Sequence, residues 1–130
     1  MRGSARFLLP AFLILACGIL AISGEERRPV YVGARVCADC HAGPGMGNQF
    51  GHWLLSGHSE AYASLATPEA REMARLSGIP GEPQETPACL GCHATASDAE
   101  QWELDPTFLI EDGVQCERCH GPGKIGRAHV

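Results

Sequence analysis

Two cysteines three positions apart, followed at once by a histidine, occur three times in this chain. The copies are Cys37-Ala38-Asp39-Cys40-His41, Cys89-Leu90-Gly91-Cys92-His93 and Cys116-Glu117-Arg118-Cys119-His120. Residues three apart in a helix lie on the same side of the backbone, so each copy presents two thiols and an imidazole together. The copies begin 52 and then 27 residues apart. These unequal intervals argue against a solenoid of fixed period.

The spacing Cys-x-x-Cys-His is the attachment sequence for c-type haem. The two thiols bond covalently to neighbouring vinyl groups of the porphyrin, and the imidazole binds the iron. We therefore predict three covalently attached haem c groups. The cysteines predicted to hold them are Cys37, Cys40, Cys89, Cys92, Cys116 and Cys119. The proximal iron ligands are predicted to be His41, His93 and His120.

Other chemistries of paired cysteines explain less of the pattern. Zinc also binds Cys-x-x-Cys pairs, but it needs no histidine after each pair, and three pairs do not divide into four-ligand sites. Three disulfides would suit an oxidising compartment but leave the three histidines unexplained. A thioredoxin-like redox pair would need a βαβ pattern that this sequence lacks.

The composition favours an interior filled by a cofactor. Aromatic residues make up only 6% of the chain, while 16 glycines and 9 prolines occur among 130 residues. Such a chain is poorly supplied for a large apolar core of its own. No stretch alternates convincingly over several strands. We therefore expect a mostly α fold with long loops, packed around the covalently bound haems.

Three histidines remain once the proximal ligands are assigned, and three irons each have one further coordination position. These histidines are His52, His58 and His129, which predicts bis-histidine ligation suited to electron transfer. His52 and His58 are expected on one helix, about 240° apart around its axis, so they would reach different haems. Met46 and Met73 are alternative ligands that we rank below the histidines.

The amino terminus has the pattern of an export signal. Arg2 and Arg6 precede an apolar run from residue 7 to residue 22. Residues 1–23 are predicted to be a cleaved signal peptide, with a membrane anchor or lipid attachment at Cys17 as alternatives. Residues 24–130 form the predicted haem domain. Residues 1–23 carry two arginines and no acid, so the formal charge changes from −5 for the whole chain to −7 for the remainder.

An acidic exported protein is expected to have redox partners with a basic docking face and to bind no nucleic acid. We expect a periplasmic or otherwise exported location. Membrane attachment is expected only if the segment before residue 24 is retained or lipidated.

Two helices are predicted between the first and second motifs. The first runs from about Gln49 to Leu65, with Asn48 as its cap. The second begins at Pro68 after the N-cap Thr67, and ends near Gly78.

Turn-forming residues predict the structure of the remaining segments. Residues 24–35 are predicted to be a flexible lead-in, and residues 79–88 a proline-rich loop. Ser97-Asp98-Ala99-Glu100 has a capping-box pattern and predicts a short helix that ends before Pro106.

Three stretches of this sequence resemble the multihaem cytochromes of the cytochrome c-554 type, a family that includes the tetrahaem electron acceptor of hydroxylamine oxidoreductase. They are Tyr31-Val32-Gly33, Trp53-Leu54-Leu55-Ser56-Gly57-His58, which is similar to the family's Trp-x-x-Ser-x-His, and the third motif extended to Gly113–Gly123 with His129 behind it. The resemblance implies that His58, and also His129, are distal ligands. It further implies closely packed haems that relay electrons between exported redox proteins.

This chain departs from that family in haem number, because the named type carries four haems and only three motifs are present here. Truncation at the carboxyl end is therefore an open alternative, with a fourth haem or a catalytic portion beyond residue 130. The first functional hypothesis is an exported carrier of single electrons. The alternatives are a haem enzyme, or the amino-terminal part of one, acting on a small nitrogen or oxygen species at an open iron, and a haem-based sensor domain.

Overall fold

The computed structural model describes residues 29–123. Six short α-helices occur in this range. They are α1 (Ala34–His41), α2 (Gln49–Leu54), α3 (Ala61–Ser64), α4 (Pro68–Leu76), α5 (Pro87–His93) and α6 (Glu117–His120). Four 3₁₀ turns lie between them, at Pro44–Met46, Pro83–Glu85, Gln101–Glu103 and Ile110–Asp112. The described residues contain no strand, and an isolated parallel bridge joins Tyr31 to Leu104. The expected mostly α fold with long loops is confirmed.

Helix α4 forms where its flanking residues predict it. The hydroxyl of Thr67 accepts a hydrogen bond from the amide of Ala70 at 3.2 Å, which satisfies one of the free donors of the first turn. Gly78 adopts a φ of 67°, and the amide of Ile79 donates to the carbonyl of Ala74 at 2.9 Å. This arrangement is a Schellman motif, in which a left-handed glycine closes the helix.

The single helix predicted from residue 49 to residue 65 is wrong. Helix α2 ends at Leu54, and α3 begins only at Ala61. The hydroxyls of Ser56 and Ser59 donate to the carbonyls of Trp53 and Leu54, at 2.7 and 3.0 Å. Hydroxyls that bond nearby carbonyls give the backbone an alternative to continued helix. His52 and His58 therefore do not share one helix, and the predicted angle between them does not apply.

Two smaller predictions near these helices also need correction. Asn48 does occupy the N-cap position of α2, but its φ is 51° and its side chain makes no capping hydrogen bond. Residues 79–88 are not entirely loop, because Pro83–Glu85 forms a 3₁₀ turn and α5 begins at Pro87.

The flexible lead-in predicted for residues 24–35 is wrong for the part that the structure describes. Val32, Gly33 and Ala34 are buried, and α1 already begins at Ala34. The amide of Tyr31 donates to the carbonyl of Glu103 at 2.7 Å. Its ring packs edge-on against Phe108, with 6.2 Å between ring centroids. Long-range contacts thus order a segment whose local sequence has no strong structural preference.

The short helix predicted to begin at Ser97 is also wrong. Residues 95–98 form a turn, in which Ala96 takes a φ of 54°. The capping box lies three residues later, between Glu100 and Glu103, and opens the 3₁₀ turn Gln101–Glu103. Ser97 and Glu100 fit the pattern, but the left-handed residue before them turns the chain away from a helix.

Helix α5, which carries the second motif, packs beside a proline-containing 3₁₀ turn. Helices α4 and α5 both pack against Pro83–Glu85, and α3 contacts α5. The first motif lies on α1, which packs against α2. Among residues 29–123, no helix is both long enough and apolar enough to cross a membrane. The predicted signal or anchor, residues 1–23, lies outside the described residues.

Candidate haem-binding site

All three Cys-x-x-Cys-His motifs end a helix. His41 is the last residue of α1, His93 the last of α5 and His120 the last of α6. The second cysteine of each motif, Cys40, Cys92 or Cys119, is exposed. Each motif therefore presents its reactive groups at a helix end.

Two of the proximal imidazoles are oriented by hydrogen bonds at Nδ1. In His93, Nδ1 lies 2.9 Å from the carbonyl oxygen of Ala61 and 3.3 Å from the hydroxyl of Ser64. In His41, Nδ1 lies 3.4 Å from the side-chain oxygen of Gln49. A carbonyl oxygen only accepts, so Nδ1 carries the proton and the lone pair remains on Nε2. This is the tautomer in which Nε2 can bind a metal.

The third motif is joined to the start of the first by the buried carboxylate of Glu117. That carboxylate accepts from the amides of Val32 at 2.9 Å and Gly33 at 2.8 Å, just before α1 begins. It also accepts from the amide of Gly123, beyond the end of α6. Glu117 lies between the two cysteines of its motif, so this residue connects one haem attachment loop to another.

Gln115 makes the corresponding connection for all three motifs. Its side-chain oxygen accepts from the amide of Ala34, the first residue of α1, at 2.7 Å. The backbone N–H of Gln115 donates to the hydroxyl of Thr95, two residues after His93, at 2.8 Å. Thr95 and Gln115 are 0% and 2% exposed, so water does not replace these bonds. The chain before Cys116 is thus fixed against the segments that carry the first and second motifs.

Arginine side chains add two links on the surface. Arg118, within the third motif, donates to the carbonyl of Gly91, within the second motif, at 2.7 Å. Arg35 on α1 makes a bidentate ion pair with Asp112, with both N–O distances 2.9 Å. Burial of Asp112 is nearly complete, while Arg35 is largely exposed, and this pairing raises the pKa of Arg35.

The Trp-x-x-Ser-x-His stretch is attached to the residues just before the third motif. The indole N–H of Trp53 donates to the carbonyl of Val114 at 2.8 Å. The amide of Val114 donates to the carbonyl of His58 at 2.9 Å. Gly113 has a φ of 71°, and a Cβ there would lie 2.5 Å from the carbonyl oxygen of His58. These contacts give Trp53 a structural role and explain why a glycine faces the turn that carries His58.

The two predicted distal ligands that the structure describes lie on different elements. His52 lies on α2 with its side chain exposed, and His58 lies in the turn between α2 and α3, also exposed. His129 lies outside the described residues. Of the alternative ligands, Met46 and Met73 are both exposed. Between the two described histidines, His58 is the one whose backbone carbonyl accepts a hydrogen bond from Val114, two positions before Cys116.

The thiols of the first and third motifs lie close to one another. Burial raises the pKa of Cys37 to about 11, with further contributions from the neighbouring Cys116 and Glu117. The same thiol donates to the carbonyl of Gly33 at 3.7 Å. The first and third attachment sites are therefore adjacent in space.

The polypeptide fits a large apolar cofactor better than it fits the alternatives. Its buried apolar residues are few and mostly small, namely Val32, Ala34, Leu65, Ala74, Ala94 and Ala96. Large apolar side chains remain at the surface, including Leu55 at 89% exposure. Each motif also offers the thiol and imidazole donors that covalent haem attachment requires.

The competing chemistries find no assembled site in the described part of the chain. No group of three or more histidine, cysteine or acidic side chains is gathered there in a way that could hold a metal ion. All six motif cysteines are unpaired. The described residues thus show neither an assembled zinc site nor a disulfide at the motifs.

Sequence reasoning did not identify the residues that connect the motifs. Thr95, Gln115 and Glu117 are polar, which favours an exposed position on average. No local signal in the sequence marks Gln115 or Glu117 as buried, because the residues at the matching positions of the other two motifs are apolar. The partners of Gln115 and Glu117 at the start of α1 lie about 80 residues away in the sequence.

Comparison with known proteins agrees with the geometry. A family model described as "Cytochrome c554 and c-prime" matches residues 36–121. Cytochrome c-554 of Nitrosomonas europaea is 27% identical over 124 residues, covering 86% of this chain and 50% of that protein. This chain therefore spans about half the length of that relative. No solved structure matches. The match spans all three attachment motifs and the buried residues between them, and this chain belongs to the cytochrome c554 and c-prime family.

Proposed function

We propose that this protein relays single electrons between exported redox proteins through three covalently bound haem c groups. Membership of the family implies a haem-containing electron-transfer protein. The observation that carries the haem number is the set of three helix-ending motifs connected by one buried hydrogen-bond network. Haem supplies an iron that gains and loses one electron.

The residues of this chain fix where the three attachment sites lie relative to one another. Glu117 and Gln115 join the third site to the first, and Thr95 joins it to the second. Buried, fully satisfied polar networks restrict a structure to one arrangement. Electron transfer between closely packed centres depends on such fixed separations, so this rigidity supports a relay.

The ring orientation of the proximal histidines supports the same function. With Nδ1 of His93 held by the carbonyl of Ala61 and Nδ1 of His41 held by Gln49, Nε2 of each ring would remain free to bind a haem iron. Constant ligation in both oxidation states lowers the structural change that accompanies each electron.

We propose His58 as the distal ligand of the third iron. The hydrogen bonds of Trp53 and His58 to Val114 support this assignment, because they hold the turn beside the third motif. His52 and His129 remain proposed distal ligands for the other irons.

Export is proposed from the amino-terminal sequence, and a partner with a basic docking face from the formal charge of −7 that remains without residues 1–23. The haem propionates would add to this negative charge.

The test is the protein matured in a periplasm that attaches c-type haem. Mass spectrometry of the intact chain should show three haems, and electron paramagnetic resonance of the oxidised form should show about three low-spin ferric centres. Fewer than three attached haems would contradict the count. A high-spin centre in the parent protein would favour the alternative, a haem enzyme with an open iron.

Replacing His58 tests its ligand role directly. In His58→Ala, one low-spin signal should convert to a high-spin signal, with three haems still attached. His52→Ala should convert a different low-spin signal, because His52 lies on α2 and is proposed to bind another iron. An unchanged spectrum in His58→Ala would remove His58 from the set of ligands.

A further inference from the structure

Glu117 is placed unusually for a residue within a haem attachment loop. It lies between Cys116 and Cys119, the two positions that bond to the third haem, and is only 4% exposed. The motif itself requires no particular residue type at this position. A buried acidic side chain needs compensation for the water that it has lost.

Compensation comes entirely from backbone amides in the described part of the chain. Three N–H groups donate to the carboxylate, from Val32, Gly33 and Gly123. Within residues 29–123, no lysine, arginine or histidine nitrogen lies within 4.0 Å of it. The amides satisfy its hydrogen bonds, but no cationic side chain of the described residues pairs with the carboxylate.

That charge is near two attachment sites. It lies inside the third, and its influence reaches the thiol of Cys37 in the first. None of its hydrogen-bond partners belongs to the second site, whose contact with the third motif is made by the neighbouring Arg118.

We propose that Glu117 is a positioning residue shared by the first and third haems, and that its buried charge lowers the reduction potentials of both relative to the second. The inference rests on the proposed function, since it requires haem at the first and third motifs.

The physical reason is the change in iron charge on reduction. Adding an electron makes the haem more negative, and a nearby carboxylate opposes that addition. The opposition is stronger in a protein interior than in water because the surroundings screen the charge less. Charge, hydrogen bonding and burial around a haem are the means by which a protein sets its potential.

The variant Glu117→Gln removes the negative charge of the side chain while nearly keeping its shape. Val32 and Gly123 both donate to the same oxygen, so a glutamine carbonyl can keep these two hydrogen bonds and lose only the one from Gly33. The three midpoint potentials are followed by spectroelectrochemical titration of the holoprotein. We expect two potentials to shift positive in Glu117→Gln while the third stays at its parent value.

Two further variants serve as controls. Glu111→Gln removes the same formal charge from an exposed position five residues before Cys116. It should not shift the potentials of two haems relative to the remaining one. Glu117→Asp keeps the charge but shortens the reach to the amides. It should lose thermal stability while its two lower potentials remain near the parent values. If Glu117→Gln fails to retain three haems, the aspartate variant decides, because a selective positive shift despite its retained charge would overturn the proposal.

The outcomes separate this inference from the proposed function. Equal shifts at all three haems, or shifts no larger than those of Glu111→Gln, would overturn the role of Glu117 while leaving a three-haem relay intact. Absence of haem from the first or third motif of the parent protein, detected in proteolytic peptides, would overturn both.

Discussion

Two parts of this molecule keep their shape by different means. Helix α4 and its flanking residues, 67–79, depend on neighbours in the sequence: the Thr67 cap, the Gly78 terminus and the ion pair of Arg75 with Glu72. The segment around the third motif, residues 110–123, depends on partners far along the chain. The hydrogen bond from Val32 to Glu117 spans 85 residues.

The difference shows which part of the chain determines how the three attachment motifs are arranged. The α4 segment can vary locally with little effect on a motif, since it packs mainly against the Pro83–Glu85 turn and, within the described residues, makes no hydrogen bond to a motif residue. The third-motif segment contacts the other two motif regions directly. Damage to this segment should therefore disturb several haems at once, whereas damage to α4 should remain local.

The strongest way to break the third-motif segment is Gly113→Ala. The φ of 71° and the 2.5 Å approach of a Cβ to the His58 carbonyl both disfavour any side chain. We expect a loss of about 1–3 kcal/mol in the free energy of unfolding from backbone strain alone, with loosening of the His58 turn. Thermal unfolding of the holoprotein measures it. Gly57→Ala is the control, because a Cβ at Gly57 meets nothing within 4 Å; equal losses in the two variants would contradict the explanation.

Thr95→Val tests a single hydrogen bond of the buried network. The change keeps the side-chain shape but leaves the amide of Gln115 without its partner. An unpaired buried donor should cost about 1–3 kcal/mol, read from the denaturant midpoint. Thr86→Val removes a hydroxyl whose bond to the Glu82 carbonyl is exposed, so water can replace it. A Thr95→Val protein no less stable than Thr86→Val would show that the network contributes little.

Thr67→Ala should have a smaller and local effect. Loss of the bond to the Ala70 amide should destabilise α4 by about 1 kcal/mol. The haem spectra should not change, because the cap touches no motif. Circular dichroism against temperature, recorded with the electron paramagnetic resonance spectrum, checks both statements. A changed haem spectrum would show that α4 positions a haem after all.

The smallest effect is expected for Arg75→Ala. The guanidinium pairs with Glu72 at 2.7 Å on a fully solvated surface, so stability should not change measurably. The pair lowers the pKa of Glu72, so its contribution is present at neutral pH and lost as pH falls. In Arg75→Ala the pKa of Glu72 should rise towards its ordinary value, which an NMR titration of the side chain would show. No rise would mean that the ion pair does not persist in solution.

Several features of the site follow from the sequence alone because their causes are local. The three Cys-x-x-Cys-His motifs are helical, as required for both thiols of a pair to share one side of a helical turn. The cap at Thr67 and the terminus at Gly78 were also found, because each depends on residues within one turn. These local signals identify the chain as a haem-binding protein and locate α4 without reference to distant residues.

Tertiary structure decided the features whose partners are distant. Periodicity favoured one helix over residues 49–65, but the serine hydroxyls and the bonds to Val114 divide it into α2 and α3. Gln115 and Glu117 are buried, and the segment before α1 is ordered, for a similar reason. The side chains of these two residues bind backbone amides that lie about 80 residues away in the sequence. A sequence records which donors and acceptors exist. Only the packed chain determines which of them lose water together, and that loss fixes the arrangement of the three motifs.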